Sequence, residues 1–102
     1  MKEYDVFVPL NYNDGSPVED DVIQHIGERL LERFGGLTLF PQPNKGFWKM
    51  GDVTFQVQIV IFRVVTAKVA AARKFLKQLK KELKVSLDQE EILIIERDVR
   101  TL

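Results

Sequence analysis

The sequence predicts an α+β protein in which two helices cover one face of an antiparallel sheet. Strand-like segments with a period of two lie near both ends and in the middle of the chain, and two amphipathic segments with a helical period lie between them. The elements follow one another as β-α-β-β-α-β. We expect four strands in a single domain that spans residues 1–102.

The first strand is predicted between Tyr4 and Leu10, with Tyr4, Val6 and Val8 on one face and Phe7 on the other. A loop of turn-forming residues follows. The first helix is expected to start at Ser16, because Ser16-Pro-Val-Glu19 fits a capping box with proline at the first helical position. Its end is expected at Gly35, since glycine readily adopts the left-handed conformation after a helix.

The second strand is predicted to be short, residues 37–40, because Pro41 and Pro43 interrupt it. Residues 41–52 are then expected to form a loop. A second helix is predicted over residues 67–85. The last strand, residues 91–96, is apolar on both faces, so the pattern does not decide which face joins the core.

The long strand between them, residues 53–65, alternates over only part of its length. Its odd positions are apolar, with Arg63 as the single exception. This pattern predicts that the odd positions face the core. Its even positions begin polar and become apolar at Val60, Phe62 and Val64. We therefore expect these three residues, with Phe7, to lie on the face without helices and to form a homodimer interface.

The element order is that of the ferredoxin-like split βαβ sandwich. Its first and third strands are expected in the centre of the sheet, and its second and fourth at the edges. In such a sandwich the helices cover a single face, so the other face needs polar residues, a ligand or a partner.

Composition excludes several classes of site. The chain has no cysteine and one histidine, His25, so disulfides, thiolate metal sites, cysteine nucleophiles and the usual zinc ligand sets are ruled out. Neither a metal nor a cofactor is expected. No signal-peptide pattern or apolar stretch of about 18 residues occurs, and we expect a cytoplasmic protein with no membrane partner.

Charge is unevenly distributed although the net charge is zero. Residues 1–35 are rich in acidic side chains, and residues 66–85 carry seven basic side chains against one acidic. Two alternatives explain this pattern. The acidic and basic segments attract each other, or the basic segment binds an acidic partner. The basic patch of the second helix consists of Arg73, Lys74, Lys77, Lys80, Lys81 and Lys84. Recognition of nucleic acid is disfavoured, because the third strand lacks the aromatic motif of RNA-binding sheets.

Two aromatic residues, Phe47 and Trp48, stand out between glycines in the predicted loop. They are expected to pack over the sheet edge or to close a pocket. Such a pocket would suit binding better than catalysis, since amides orient ligands but are not strong acids or bases. Its predicted lining is Trp48, Gln56, Gln58, Thr38 and Tyr12.

The segment Phe34-Gly-Gly-Leu-Thr38, followed by Gly46-Phe-Trp48, resembles small bacterial proteins of unknown function with an F-G-G-[LV]-T…G-x-W pattern. The resemblance extends to residues 89–93. It implies a ferredoxin-like domain without an assigned activity, and it suggests that Thr38, Gly46 and Trp48 belong to one local feature.

Three hypotheses of function follow. The first is a non-catalytic homodimeric module that binds a partner or a small ligand. The second is a cofactor-independent enzyme of the dimeric α+β barrel type, which calls for a deep cavity lined by Trp48, Gln56 and His25. The third is a regulatory protein that binds an acidic partner through the basic patch. No catalytic residue is assigned.

Overall fold

The computed structural model describes residues 1–102, apart from the side chain of residue 42. The chain is an α+β protein, as predicted. Its elements are β1 (Lys2–Pro9), α1 (Asp20–Phe34), β2 (Thr38–Met50), β3 (Val53–Thr66), α2 (Val69–Ser86) and β4 (Ile94–Asp98).

The strands form an antiparallel sheet in the order β2-β3-β1-β4. The central places of β1 and β3 and the edge places of β2 and β4 are those predicted, and the order is compatible with a ferredoxin-like arrangement. Both helices cover the same face of the sheet. Their buried residues join one core with β1 and β3: Tyr4, Val6, Val8, Ile26, Leu30, Val60, Phe62, Val64, Ala72, Leu76, Leu79 and Leu83.

The predicted orientation of β3 is wrong. Val60, Phe62 and Val64 are at most 5% exposed and pack under the helices, whereas Ile59, Ile61 and Arg63 lie on the opposite face. The register agrees, because Phe62 pairs with Val6 and Val60 with Val8, and cross-strand partners share a face. These three residues therefore form core in a single chain and are not available as a dimer interface.

The first helix starts later than predicted. Its N-cap is Glu19, and Ser16 forms no cap. Ser16 instead closes a tight loop, in which its backbone carbonyl accepts a hydrogen bond from the Tyr12 N–H. The end of the helix matches the prediction, since Gly35 has a left-handed φ of 76° and donates its N–H to Leu31.

The second strand is much longer than predicted. It continues to Met50 and pairs with β3, apart from an irregularity between Phe40 and Asn44 that takes up Pro41 and Pro43. Prolines are tolerated here because β2 is an edge strand. The predicted loop is thus mostly strand, and the chain reverses at Gly51, whose φ is 62°.

The pairing leaves part of the β2–β3 hairpin without a third strand. β1 pairs with β3 only as far as Ile59. Residues 46–57, which we call the hairpin arm, therefore form a two-stranded ribbon that projects from the four-stranded body.

The face of β4 that the sequence left undecided is now assigned. Ile92, just before the strand, is 1% exposed and Ile94 packs against the core. Ile95 pairs with Asp5 and lies on the face without helices. Leu93, whose carbonyl accepts the Phe7 N–H, is 52% exposed.

Candidate functional site

The sheet face opposite the helices, which we call the uncovered face, carries a long apolar surface. Cross-strand pairs of like side chains run along it, among them Phe7 with Ile61, Phe40 with Ile61 and Trp48 with Phe55. Its apolar residues are Phe7, Phe40, Trp48, Met50, Val53, Phe55, Val57, Ile59, Ile61, Val65 and Ile95. A continuous apolar surface of this kind marks a site of interaction.

One end of the uncovered face carries an ionic cluster of Glu3, Asp5, Arg63 and Arg97. Asp5 lies at its centre and is only 3% exposed. Arg63 donates to both Asp5 carboxylate oxygens at 2.8 and 3.0 Å, and Arg97 donates to Oδ2 at 2.8 Å. Glu3 lies 3.2 Å from Arg63 and 3.4 Å from Arg97. The cluster holds two acids and two bases, so it is neutral as a unit.

These contacts fix the charge state of Asp5. Hydrogen bonds from Arg63 hold the pKa of Asp5 below its usual value, against the opposite effect of burial. A carboxylate with a lowered pKa is a weak base. Asp5 therefore suits electrostatic anchoring better than proton abstraction.

Aromatic groups lie at both ends of the apolar surface. The Phe40 ring lies over the Arg63 guanidinium, with 4.9 Å from its Cζ to the ring centroid. On the hairpin arm, Trp48 and Phe55 stack with centroids 4.9 Å apart and an interplanar angle of 23°. Both rings remain over 40% exposed, so the stack has an open face for another flat or cationic group.

The five predicted ligand-binding residues do not form one pocket. Trp48 and Thr38 share the uncovered face, but their partners Phe55 and Arg63 are eight residues apart on β3, or about 26 Å. Gln56 pairs with Phe47 on the other side of the arm, and Gln58 also lies on that side. Tyr12 belongs to the loop before α1, where its hydroxyl donates to Glu19.

Among the four predicted interface residues, only Phe7 lies on the uncovered face. Phe40, Phe55 and the ionic cluster were missed by the sequence interpretation. The available signal was the pairing of opposite charges, because Asp5 and Arg63 occupy strands that were both predicted to be central.

The basic patch of α2 is exposed but partly neutralised. Arg73 forms a bidentate ion pair with Glu96, with N–O distances of 2.8 and 2.9 Å, and Lys80 pairs with Glu91 at 2.9 Å. The hydrogen bonds from Arg73 lower the pKa of Glu96 to about 2. Lys74, Lys77 and Lys81 are exposed on the helix.

Two grooves lie on the helix side of the sheet. The larger groove, of about 560 Å³, lies between α1 and β2 and is lined mainly by apolar residues, including Leu31, Leu39 and Phe62. The smaller runs between α1 and α2 and includes His25. His25 and Trp48 thus lie on opposite sides of the sheet, and the cavity expected from Trp48, Gln56 and His25 does not form.

Among the described residues, no group of three or more histidine, aspartate or glutamate side chains is placed to hold a metal ion. No helix in the described part of the chain is long and apolar enough to cross a membrane.

The fold and this surface define a small α+β protein with an open apolar sheet face. No protein-family model matches the chain, and no curated protein sequence matches it. Two solved structures of a phage SAM lyase are similar to it. The lyase in complex with S-methyl-5′-thioadenosine has a TM-score of 0.69 and 16% sequence identity, over 95% of this chain and 80% of the lyase chain. The lyase in its apo state has a TM-score of 0.68 and 17% identity, over 94% and 78% of the two chains. At this identity the similarity shows a shared fold.

Proposed function

We propose that this protein binds a small adenine nucleoside with a thioether or sulfonium group, of the type of S-methyl-5′-thioadenosine or S-adenosylmethionine (SAM), on its uncovered face. The observation that carries the proposal is the exposed Trp48–Phe55 stack on that face. The phage lyase with the same fold is named for SAM, and one of its structures contains S-methyl-5′-thioadenosine.

The chemistry of this ligand class matches the chemistry of the surface. An adenine base is flat and stacks on an aromatic ring, and a sulfonium cation is attracted to the ring face. The apolar residues beside the stack, Val57 and Ile59, suit the thioether part of the molecule. The strand pairing of Trp48 with Phe55 places the two rings side by side before a ligand arrives, which limits the entropy lost on binding.

Calorimetric titration with S-methyl-5′-thioadenosine and with SAM tests the proposal. We expect both to bind, and Phe55→Ala to weaken binding roughly 5- to 150-fold, because stacking contributes about 1–3 kcal/mol per base. Trp48 is the only tryptophan, so its fluorescence reports contact with the ligand directly.

Phe47→Ala is the matched control. Phe47 belongs to the same arm and is 64% exposed, but it lies on the other side from Trp48. Its replacement should leave affinity unchanged. The proposal fails if neither compound binds. It also fails if Phe55→Ala binds as tightly as the unmodified chain, because the ligand would then not stack on the arm.

A second candidate function, favoured by the same structural similarity, is cleavage of SAM. The carboxylate oxygen of SAM itself attacks the γ-carbon of the aminobutyrate chain and closes a lactone, while the bond between that carbon and sulfur breaks. The electrons of the broken bond go to sulfur, and the sulfonium becomes a neutral thioether. The departing group therefore needs no acid, and an apolar surface favours the loss of charge. Chromatography of SAM incubated with the protein would show S-methyl-5′-thioadenosine above the protein-free blank if the surface catalyses this step, and binding without product if it does not.

A further inference from the structure

We propose that two copies of this chain associate face to face in opposite directions, so that the hairpin arm of each copy lies across the uncovered face of the other. The inference deepens the proposed function and rests on it in one respect, since the partner's sheet would supply the second wall of a base stacked on Trp48. The contact itself is argued from the arm and the face.

The hairpin arm has an exposed apolar side that would be stabilised by a covering partner. A two-stranded ribbon alone is only marginally stable in water, yet residues 46–57 have no third strand. One side of the arm carries only glycine and apolar residues, namely Gly46, Trp48, Met50, Val53, Phe55 and Val57, and the other side is mainly polar. Met50 and Val53 at its tip are 48% and 54% exposed.

The size of the face fits a stable dimer. Thirteen residues of β3, from Val53 to Val65, extend about 43 Å, and four strands span about 19 Å. Allowing for the narrower arm, each copy would contribute on the order of 700 Å², close to the roughly 800 Å² per partner of a standard interface. A two-fold axis near Ile59 brings Val53 of one copy opposite Val65 of the other.

The charges of the face favour a second copy over nucleic acid. Arg63 and Arg97, the cations of the ionic cluster, are already paired with Glu3 and Asp5. Lys49 lies on the polar side of the arm, and Lys45, just before the arm, lies on the same side of the sheet. The uncovered face thus offers phosphates little net attraction, whereas two neutral apolar faces meet without repulsion.

Sedimentation velocity at micromolar concentration tests the association. We expect a dimer for the unmodified chain and a monomer for Val53→Lys. The added lysine would lie opposite Val65, beside the ionic cluster of the other copy, where both acids are already paired with arginines. Thr54→Lys is the matched control, because Thr54 is the next residue on the same exposed strand but lies on the other side of the arm. It should remain dimeric.

The orientation is tested by cross-linking, which the cysteine-free sequence makes simple. Packed sheets lie about 10 Å apart, so a bis-maleimide of that span is suitable. Mixed Val53→Cys and Val65→Cys chains should form a cross-linked dimer, and Val53→Cys alone should not.

The proposal is overturned by a monomer, by a mass of three or more copies, or by Thr54→Lys dissociating the protein as Val53→Lys does. Cross-linking of Val53→Cys with itself would show a tip-to-tip arrangement and reject the opposite one. The two proposals can fail separately. If the unmodified chain is a dimer and Val53→Lys is a monomer, but no chain binds the nucleoside, the dimer is supported and the proposed function is rejected.

Discussion

At the scale of single residues, Asp5 has the most demanding environment in the protein. It lies in a central strand between apolar neighbours, and its carboxylate accepts three hydrogen bonds from two arginines. Such a group is stable only while its partners remain, because an unpaired buried charge is costly. Asp5 therefore ties β1 to β3 and β4 by charge, on the face where helices supply no cover.

Replacement of Asp5 by asparagine should lower the free energy of unfolding by about 1.5–3 kcal/mol at neutral pH, the range for hydrogen bonds to charged groups. Urea unfolding measures this loss. Glu3→Gln is the control, because Glu3 is farther from both arginines and should contribute less than about 1 kcal/mol.

The stability difference between the unmodified chain and Asp5→Asn should also depend on pH. The pKa of Asp5 is lower in the folded chain than in the unfolded one, so its stabilisation is present above the unfolded value near 3.8 and is lost as the pH falls toward the folded value. The stability difference between the unmodified chain and Asp5→Asn should shrink below about pH 4. A constant difference down to pH 2 would show that the charge of Asp5 does not stabilise the fold.

At the scale of elements, α1 approaches the sheet through a glycine. A Cβ built on Gly27 would lie 3.0 Å from Cε1 of Phe62, whose side chain is 2% exposed and has little room to move. The absence of a side chain at Gly27 allows this close approach of α1 to β3, and Gly27 also lines the apolar groove between α1 and β2.

Gly27→Ala should therefore destabilise the protein, by about 1–2 kcal/mol, although alanine is the better helix former. Thermal unfolding compares it with Gly36→Ala, where an added Cβ meets no atom within 4 Å and φ is not in the left-handed range. We expect Gly36→Ala to leave stability almost unchanged. An increase for Gly27→Ala would mean that Phe62 yields to the methyl group.

At the scale of the whole molecule, the sheet has two unlike faces, one closed by helices and one open. If the open face is covered by a second copy, association and folding stability are linked by mass action. The midpoint of thermal unfolding should then rise with protein concentration over the micromolar range for the unmodified chain and for Thr54→Lys. Val53→Lys should give one midpoint at all concentrations. A concentration-independent midpoint in all three chains would contradict the linkage.

The order of elements could be predicted from periodicity. The central places of β1 and β3 followed from that order, and the end of α1 from the left-handed conformation that Gly35 readily adopts. The orientation of β3 could not, because both of its faces are apolar between Ile59 and Phe62. The polar residues Thr54 and Gln56, which suggested a solvent face, lie on the arm beyond the helices. Their polarity therefore carried no information about the core.

The predicted length of β2 and the predicted lining of the ligand site were wrong for the same reason. Pro41 and Pro43 predicted a loop, because a proline lacks the N–H that a central strand needs, and only the sheet order shows that β2 is an edge. With a loop in place of the arm, Trp48 had no strand partner. Phe55 then could not be recognised as its stacking neighbour.

The prolines of β2 also bear on how the protein avoids aggregation. An exposed edge strand offers unpaired N–H and C=O groups to any other strand, and repeated edge-to-edge pairing leads to fibrils. Pro41 and Pro43 remove two donors and coincide with the irregular register between Phe40 and Asn44, so a foreign strand finds no regular ladder there. A chain with so much exposed apolar surface thus remains able to associate through its face while sheet growth at this edge is hindered.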